Sequence, residues 1–407
     1  MKTANPILKL SLIFAALAAT FSCAVQAGET KDFEFSGYTR GGAYTSPAGT
    51  PRGGYTLGGD MQKFRLGNEG DNGIEVGLGK TFNMEDGSKW NVMFMPAVWG
   101  GKYGAAQAYA AITGLDFAPE AVFWGGQRRL RIQDVHIVDH FFMDYGENTG
   151  AGMTDYNLGF AKLGVGAFNS ANFDNSTNPN NALRFNVDLS DIKTSAKGTL
   201  RLLATLASGN FQLATPGAGL SLLHNQDDFL FDGLNNTVFV QSASGHVALS
   251  GKFLGLGDAA TGSTEQPGAQ SMRLGDAINW QSGAFGGQAL IAYQTAKVDG
   301  GVDDGKTTTD FSLGGRVSYA FTRNFKILGE AATTTRDVSQ QAQQQLHKFT
   351  LAPTLTLTPD FWSRPELRLY VTYASWNDAA ALANTTGFGA GGRTSSVLTG
   401  AQMEVWW

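Results

Sequence analysis

Alternation of apolar and polar side chains over segments of about 8–11 residues is the strongest constraint on how this chain folds. Successive side chains of a strand point to opposite faces, so each such segment is a two-faced strand. In residues 401–407, Ala401, Met403, Val405 and Trp407 oppose Gln402, Glu404 and Trp406. In 366–373, Leu367, Leu369, Val371 and Tyr373 oppose Glu366, Arg368, Tyr370 and Thr372. In 348–357, Phe349, Leu351, Leu355 and Leu357 oppose Lys348, Thr350, Thr354 and Thr356. In 311–321, Phe311, Leu313, Val317, Tyr319 and Phe321 oppose Ser312, Gly314, Arg316 and Ser318. Near the start, Phe33, Phe35 and Gly37 oppose Glu34, Ser36, Tyr38 and Arg40. No later stretch reaches the roughly 18 uninterrupted apolar residues of a membrane helix.

The N-terminus reads as an export signal. Lys2 and Lys9 precede a mostly apolar run from Leu10 to Phe21, and Ala24-Val25-Gln26-Ala27 supplies small residues before a cut. The expected division is a signal over 1–27 and one domain over 28–407. The sole cysteine, Cys23, falls in the removed segment. Reading it as a lipidation site fits poorly with Phe21 and Ser22 before it. A mature chain without cysteine has neither structural disulfides nor Cys-based metal sites.

An exported all-β chain is either a soluble sandwich or an antiparallel transmembrane β-barrel. Strand length favours the barrel, since a tilted strand needs about 9–11 residues to cross a bilayer. So do aromatics near strand ends (Tyr319, Phe321, Tyr373, Trp376 and Trp407), where an interfacial girdle belongs, and an expected closing strand that ends on Trp407. Connections divide into short turns, such as Thr322-Arg323-Asn324 and Thr358-Pro359-Asp360, and long polar loops over 169–181, 255–268, 300–309 and 377–396. Short periplasmic turns and long extracellular loops are the expected asymmetry. Charged residues make up only 16% of the chain and its net charge is −5, with no basic block, so nucleic acid is not an expected partner.

Catalytic signals are weak. His136 and His140 are the only close histidine pair, and no third ligand completes a metal site. Asp134 and Asp139, five positions apart, face opposite sides of a regular strand, so a joint acid–base role needs the backbone to leave the strand. No glycine-flanked nucleophile or phosphate cradle is present. The expectation is a protein that is not an enzyme and carries no cofactor or metal.

Several motifs, in order, resemble the maltoporin (carbohydrate porin) family of outer-membrane proteins. They are Phe35-Ser36-Gly37-Tyr38-Thr39-Arg40, Lys63-Phe64-Arg65-Leu66-Gly67-Asn68-Glu69, Trp124-Gly125-Gly126, Asp134-Val135-His136-Ile137-Val138-Asp139 and Phe361-Trp362-Ser363-Arg364-Pro365. The last is Gly400-Ala401-Gln402-Met403-Glu404-Val405-Trp406-Trp407. Residues 165–345 carry only the general strand pattern. The resemblance implies an 18-stranded barrel in the bacterial outer membrane, assembled as a homotrimer in outer-membrane lipid and passing oligosaccharides.

In that family an aromatic slide and a polar track bind the sugar. The slide carries over to Tyr38, Trp362 and Trp406, and the track to Arg40, Arg65, Glu75, Asp134 and Asp139. Tyr38 and Trp406 also fall on the polar face by alternation alone. Gly73 and Leu234 stand where the family has slide aromatics, and Trp99 is the candidate for a tryptophan that the family donates from a long loop. Ala108 and Ile132 stand at two arginine positions, with Arg131 adjacent to the second. Phe141 replaces a tyrosine at the constriction. The implied function is passive, facilitated diffusion of maltose- or maltodextrin-like sugars, with weaker binding of long chains or a preference for a different or smaller sugar. The alternative is a general diffusion porin without a saturable sugar site. An outer-membrane enzyme or adhesin is a third reading.

Overall fold

The computed structural model describes residues 32–46, 54–144, 146, 148–169, 181–210, 216–254, 269–297, 305–389 and 391–407. The expected signal, Cys23 and most of the loops over 169–181, 255–268 and 300–309 lie outside the described residues.

Lipid offers backbone groups no hydrogen-bond partners, so a sheet crossing it has to close on itself. Here 18 strands form one closed antiparallel sheet. The first, Phe33–Thr45, pairs on one side with Gly73–Asn83 and on the other with the last, Ser395–Trp406. The register fixes the faces as the alternation requires. Tyr38 lies opposite both Glu75 and Trp406, and Arg40 lies opposite Glu404. Outside, Phe349 faces Tyr373, Leu351 faces Val371 and Leu367 faces Met403, all exposed to the bilayer. Inside, Lys326, Glu330, Lys348, Glu366, Arg368 and Glu404 are buried. Short turns such as 283–284 and 323–324 lie at one end, and connections as long as 128–148 and 245–269 at the other.

Two long-loop segments fold back into the barrel. Residues 54–72 lie along one inner wall. Phe64 seats flush there because position 314 is glycine, where a Cβ would stand 2.5 Å from the ring. The backbone of this segment is held by wall side chains. Lys348 Nζ donates to the Leu66 carbonyl at 2.8 Å, the Thr372 hydroxyl donates to the Gly67 carbonyl at 3.0 Å, and Glu330 accepts from the Leu66 N–H at 3.0 Å. These bonds satisfy polar backbone that burial would otherwise leave unpaired.

The second segment carries a two-stranded hairpin, Arg131–Val135 with His140–Asp144, joined through a 3₁₀ turn at His136–Val138. Ile137, Val138, Phe142 and Met143 are buried in one cluster with Leu203, Leu223, Phe239 and Leu290 of the wall. The ring centroids of Phe142 and Phe239 are 3.6 Å apart. The lumen face is therefore not uniformly polar, as alternation suggested. It has an apolar inner patch that receives the hairpin.

Two further expectations are corrected. Trp376 is not a lipid-facing girdle residue. It is buried inside, its Nε1 donating to the Arg393 carbonyl at 2.6 Å and its ring stacked on Tyr55. The connection over 377–396 is not simply an extended polar loop. It carries two short helices, Asp378–Ala383 and Thr385–Phe388, the first capped by the Asn377 side chain accepting from the Ala380 N–H. Burial of Ala380, Ala381 and Phe388 against Tyr55 and Trp376 holds them.

Truncating a buried phenylalanine costs about 3–5 kcal/mol. Phe142→Ala is expected to free the hairpin while leaving the wall intact. The measurement is single-channel recording beside a thermal melt, with larger, noisier conductance and a barrel melting point close to wild type as the outcome.

Candidate functional site

With the hairpin drawn to the apolar patch, the opposite part of the lumen stays open. A cavity of about 660 Å³ lies there, walled by Phe33–Thr45, Gly73–Asn83, Lys89–Trp99 and the last strand, and floored by the hairpin. Seven of the residues expected from sequence line it together with Phe141, the residue expected at the constriction: Tyr38, Arg40, Arg65, Glu75, Asp134, Asp139 and Trp406. Trp362 stands just beyond, one-third exposed, with its ring centroid 5.6 Å from that of His136.

The aromatic groups form a line. Trp99 stacks on Tyr38 with centroids 6.0 Å apart and planes at 25°. Tyr38 is the direct strand partner of Trp406. Trp406 meets the edge of His136 at 5.6 Å, and His136 in turn meets Trp362. The Arg364 guanidinium sits 4.1 Å from the Trp406 centroid and covers part of that ring. The sequence offers His136 only as a weak metal ligand and gives Arg364 no role in the site. The 3₁₀ turn, absent from any alternation pattern, is what brings His136 between the two tryptophans.

Charged groups pair off around this line. Arg65 is almost wholly buried. It donates from Nε to Glu69 at 3.0 Å, and from Nη2 to Glu404 at 2.8 Å and to the Tyr38 hydroxyl at 3.0 Å. The Tyr38 hydroxyl donates to Glu404 at 2.8 Å. Arg40 bridges Glu69, Asp71 and Asp139 at 2.6, 2.7 and 3.3 Å. Glu75 accepts from Arg129 and from Trp99 Nε1. Arg131 pairs with Asp144 and lies 4.9 Å from the Phe141 ring centroid. Arg129 and Arg131 thus bring two guanidinium groups to the cavity. Ile132 itself is buried in the apolar cluster. Leu234 is buried and pairs with Trp280 at the short-turn end, away from the aromatic line.

Asp134 and Asp139 do reach the same cavity, although five positions on a regular strand would separate them. Asp139 adopts a left-handed conformation at φ 55°, and this turns the chain back on itself. Burial pushes the Asp139 carboxyl up, but Arg65, Arg40 and Lys63 outweigh it and hold its pKa at about 2, below the ordinary 3.8. Its ionised form therefore stabilises the turn above about pH 4, and that contribution fades as pH falls toward 2.

A closed barrel with a hairpin folded into a charged, aromatic-lined lumen defines an outer-membrane porin, a channel rather than an enzyme. The LamB porin family model matches residues 33–407, and the chain belongs to that family. The protein resides in the bacterial outer membrane. The maltoporin of Vibrio cholerae serotype O1 (strain ATCC 39315 / El Tor Inaba N16961) is 28% identical over 437 residues, spanning 98% of this chain and 100% of that protein. Among solved structures, OccK3 (OpdO) of Pseudomonas aeruginosa matches with a TM-score of 0.51 at 9% identity, covering 93% of this chain and 96% of that one. That likeness concerns the fold.

Asp139→Asn is expected to alter single-channel conductance, and the difference from wild type should persist from pH 8 down to about pH 4. A difference that disappears near pH 6 would place the group outside the ion-paired setting described here.

Proposed function

We propose that this porin passes sugars by facilitated diffusion along the line Trp99, Tyr38, Trp406 and Trp362. The observation that carries the reading is the continuity of that line along one side of the open lumen, with ionic groups on its flank. A sugar ring has apolar C–H faces and a girdle of hydroxyls. The faces stack on aromatic rings. The hydroxyls exchange water for charge-assisted bonds to groups such as Arg40, Arg131, Asp134 and Asp139. Several weak sites in series let a solute enter, bind and leave. Phe141, without a hydroxyl, narrows the passage by bulk.

The relatives' name, maltoporin, directs the substrate class to maltose and maltodextrins. The short-turn end faces the periplasm and the long-loop end the medium, by the usual asymmetry of such barrels. Family likeness supports a homotrimer. An export segment removed after Ala27 accounts for delivery to the outer membrane.

Stacking of a ring pair is worth about 0.5–1.5 kcal/mol, or roughly 2- to 13-fold in affinity. Trp406→Ala and Trp362→Ala should each weaken maltodextrin block of single-channel current by about that factor, with the pore still conducting ions. Current through the wild type, titrated with maltose, maltotriose, longer maltodextrins and sucrose, ranks the solutes. Steady conductance with no block by any of them would replace this reading with a general diffusion porin.

A further inference from the structure

The position that resembles a lost slide aromatic, Gly73, is not empty. It is the direct strand partner of Trp99. A Cβ built on Gly73 would stand 2.2 Å from Trp99 Cε3 and 2.3 Å from Cδ2, so the indole lies across the glycine. The same indole stacks on Tyr38 and has the Arg40 guanidinium 5.1 Å from its centroid. Two residues along on the same face, Glu75 Oε1 accepts from Trp99 Nε1 at 3.0 Å and from Arg129 Nη2 at 2.7 Å, while Oε2 accepts from Arg129 Nη1. The Glu75 side chain is 11% exposed. A carboxylate offers about four acceptor positions. With three occupied and little surface left, Glu75 has scant capacity for a sugar hydroxyl.

We propose that Glu75 and Arg129 are positioning residues that hold the Trp99 indole, the outermost ring of the aromatic line, across Gly73. This rests on the sugar-channel reading above and revises two expectations drawn from the sequence. Position 73 becomes a requirement for that ring rather than a gap in the slide. Glu75 moves from the polar track to the support of an aromatic ring. Trp99 stands at the long-loop end of its strand, so among the four rings of the line it is the one nearest that end.

The test is a double-mutant cycle read by maltotriose block of single-channel current, with sugar added on the long-loop side. Each variant is first checked for folding by heat-modifiable migration. Trp99→Ala should weaken block about fivefold. Glu75→Ala and Gly73→Ala should each weaken it to a similar degree, and neither should add more than about twofold in the Trp99→Ala background. Arg129→Lys, which keeps the charge, should retain more of the block than Arg129→Ala. Effects of Glu75→Ala and Trp99→Ala that multiply would make Glu75 a direct sugar ligand and overturn the positioning role. Block that weakens in Trp406→Ala but not in Trp99→Ala would overturn this inference alone. A wild type that maltotriose does not block at all would overturn both this inference and the sugar-channel reading.

Discussion

The apolar patch on the inner wall is the contact on which the working form of this channel depends. Leu203, Leu223, Phe239 and Leu290 face inward, where a water-filled barrel would carry polar groups. They bury Ile137, Val138, Phe142 and Met143, and so draw the inward hairpin to one side of the lumen. The opening that remains is bounded by the first three strands and the last. Hydrophobic burial is non-directional, so hydrogen bonds supply the register. Gln288 accepts from the Ile137 N–H at 3.0 Å, and Gln241 donates to the Phe142 carbonyl at 2.9 Å.

On the open side, ion pairs take over from apolar packing. Arg65, Glu69, Glu404, Arg368, Glu366 and Lys326 form a connected chain of buried charges inside the barrel. Isolated, each would carry a heavy desolvation cost; paired, they hold one another in fixed positions. Rings beside them inherit that order. Arg65 and Glu404 orient the Tyr38 hydroxyl, Arg364 lies against Trp406, and Glu75 holds the indole nitrogen of Trp99. The polar groups near the aromatic line are thus partly its support and partly available to a solute.

How much of this was legible in the sequence follows from what strand periodicity can encode. Alternation placed Tyr38 and Trp406 inside and Phe349, Leu351 and Tyr373 outside, because the period of two is a local property. It also placed the first and last strands, whose motifs resemble the family. Long-range packing left less trace. Trp376 looks like a girdle residue until Tyr55 is found beneath it. The two short helices between 378 and 388 read as part of a polar loop, because they are too brief for a helical period and are held by burial against Tyr55 and Trp376. Asp134 and Asp139 seemed destined for opposite faces because nothing in their spacing reports the left-handed turn at Asp139. Arg129 was passed over because Ala108 and Ile132 occupy the expected arginine positions.

Binding of a sugar along the aromatic line is the central claim, and its position in the lumen tests it most directly. A crystal structure of the purified protein soaked with maltotriose is predicted to place glucosyl rings with their C–H faces against Trp406 and Tyr38, and to extend toward Trp99. Ordered sugar against the opposite side of the lumen, or on the outer loops alone, would contradict the account.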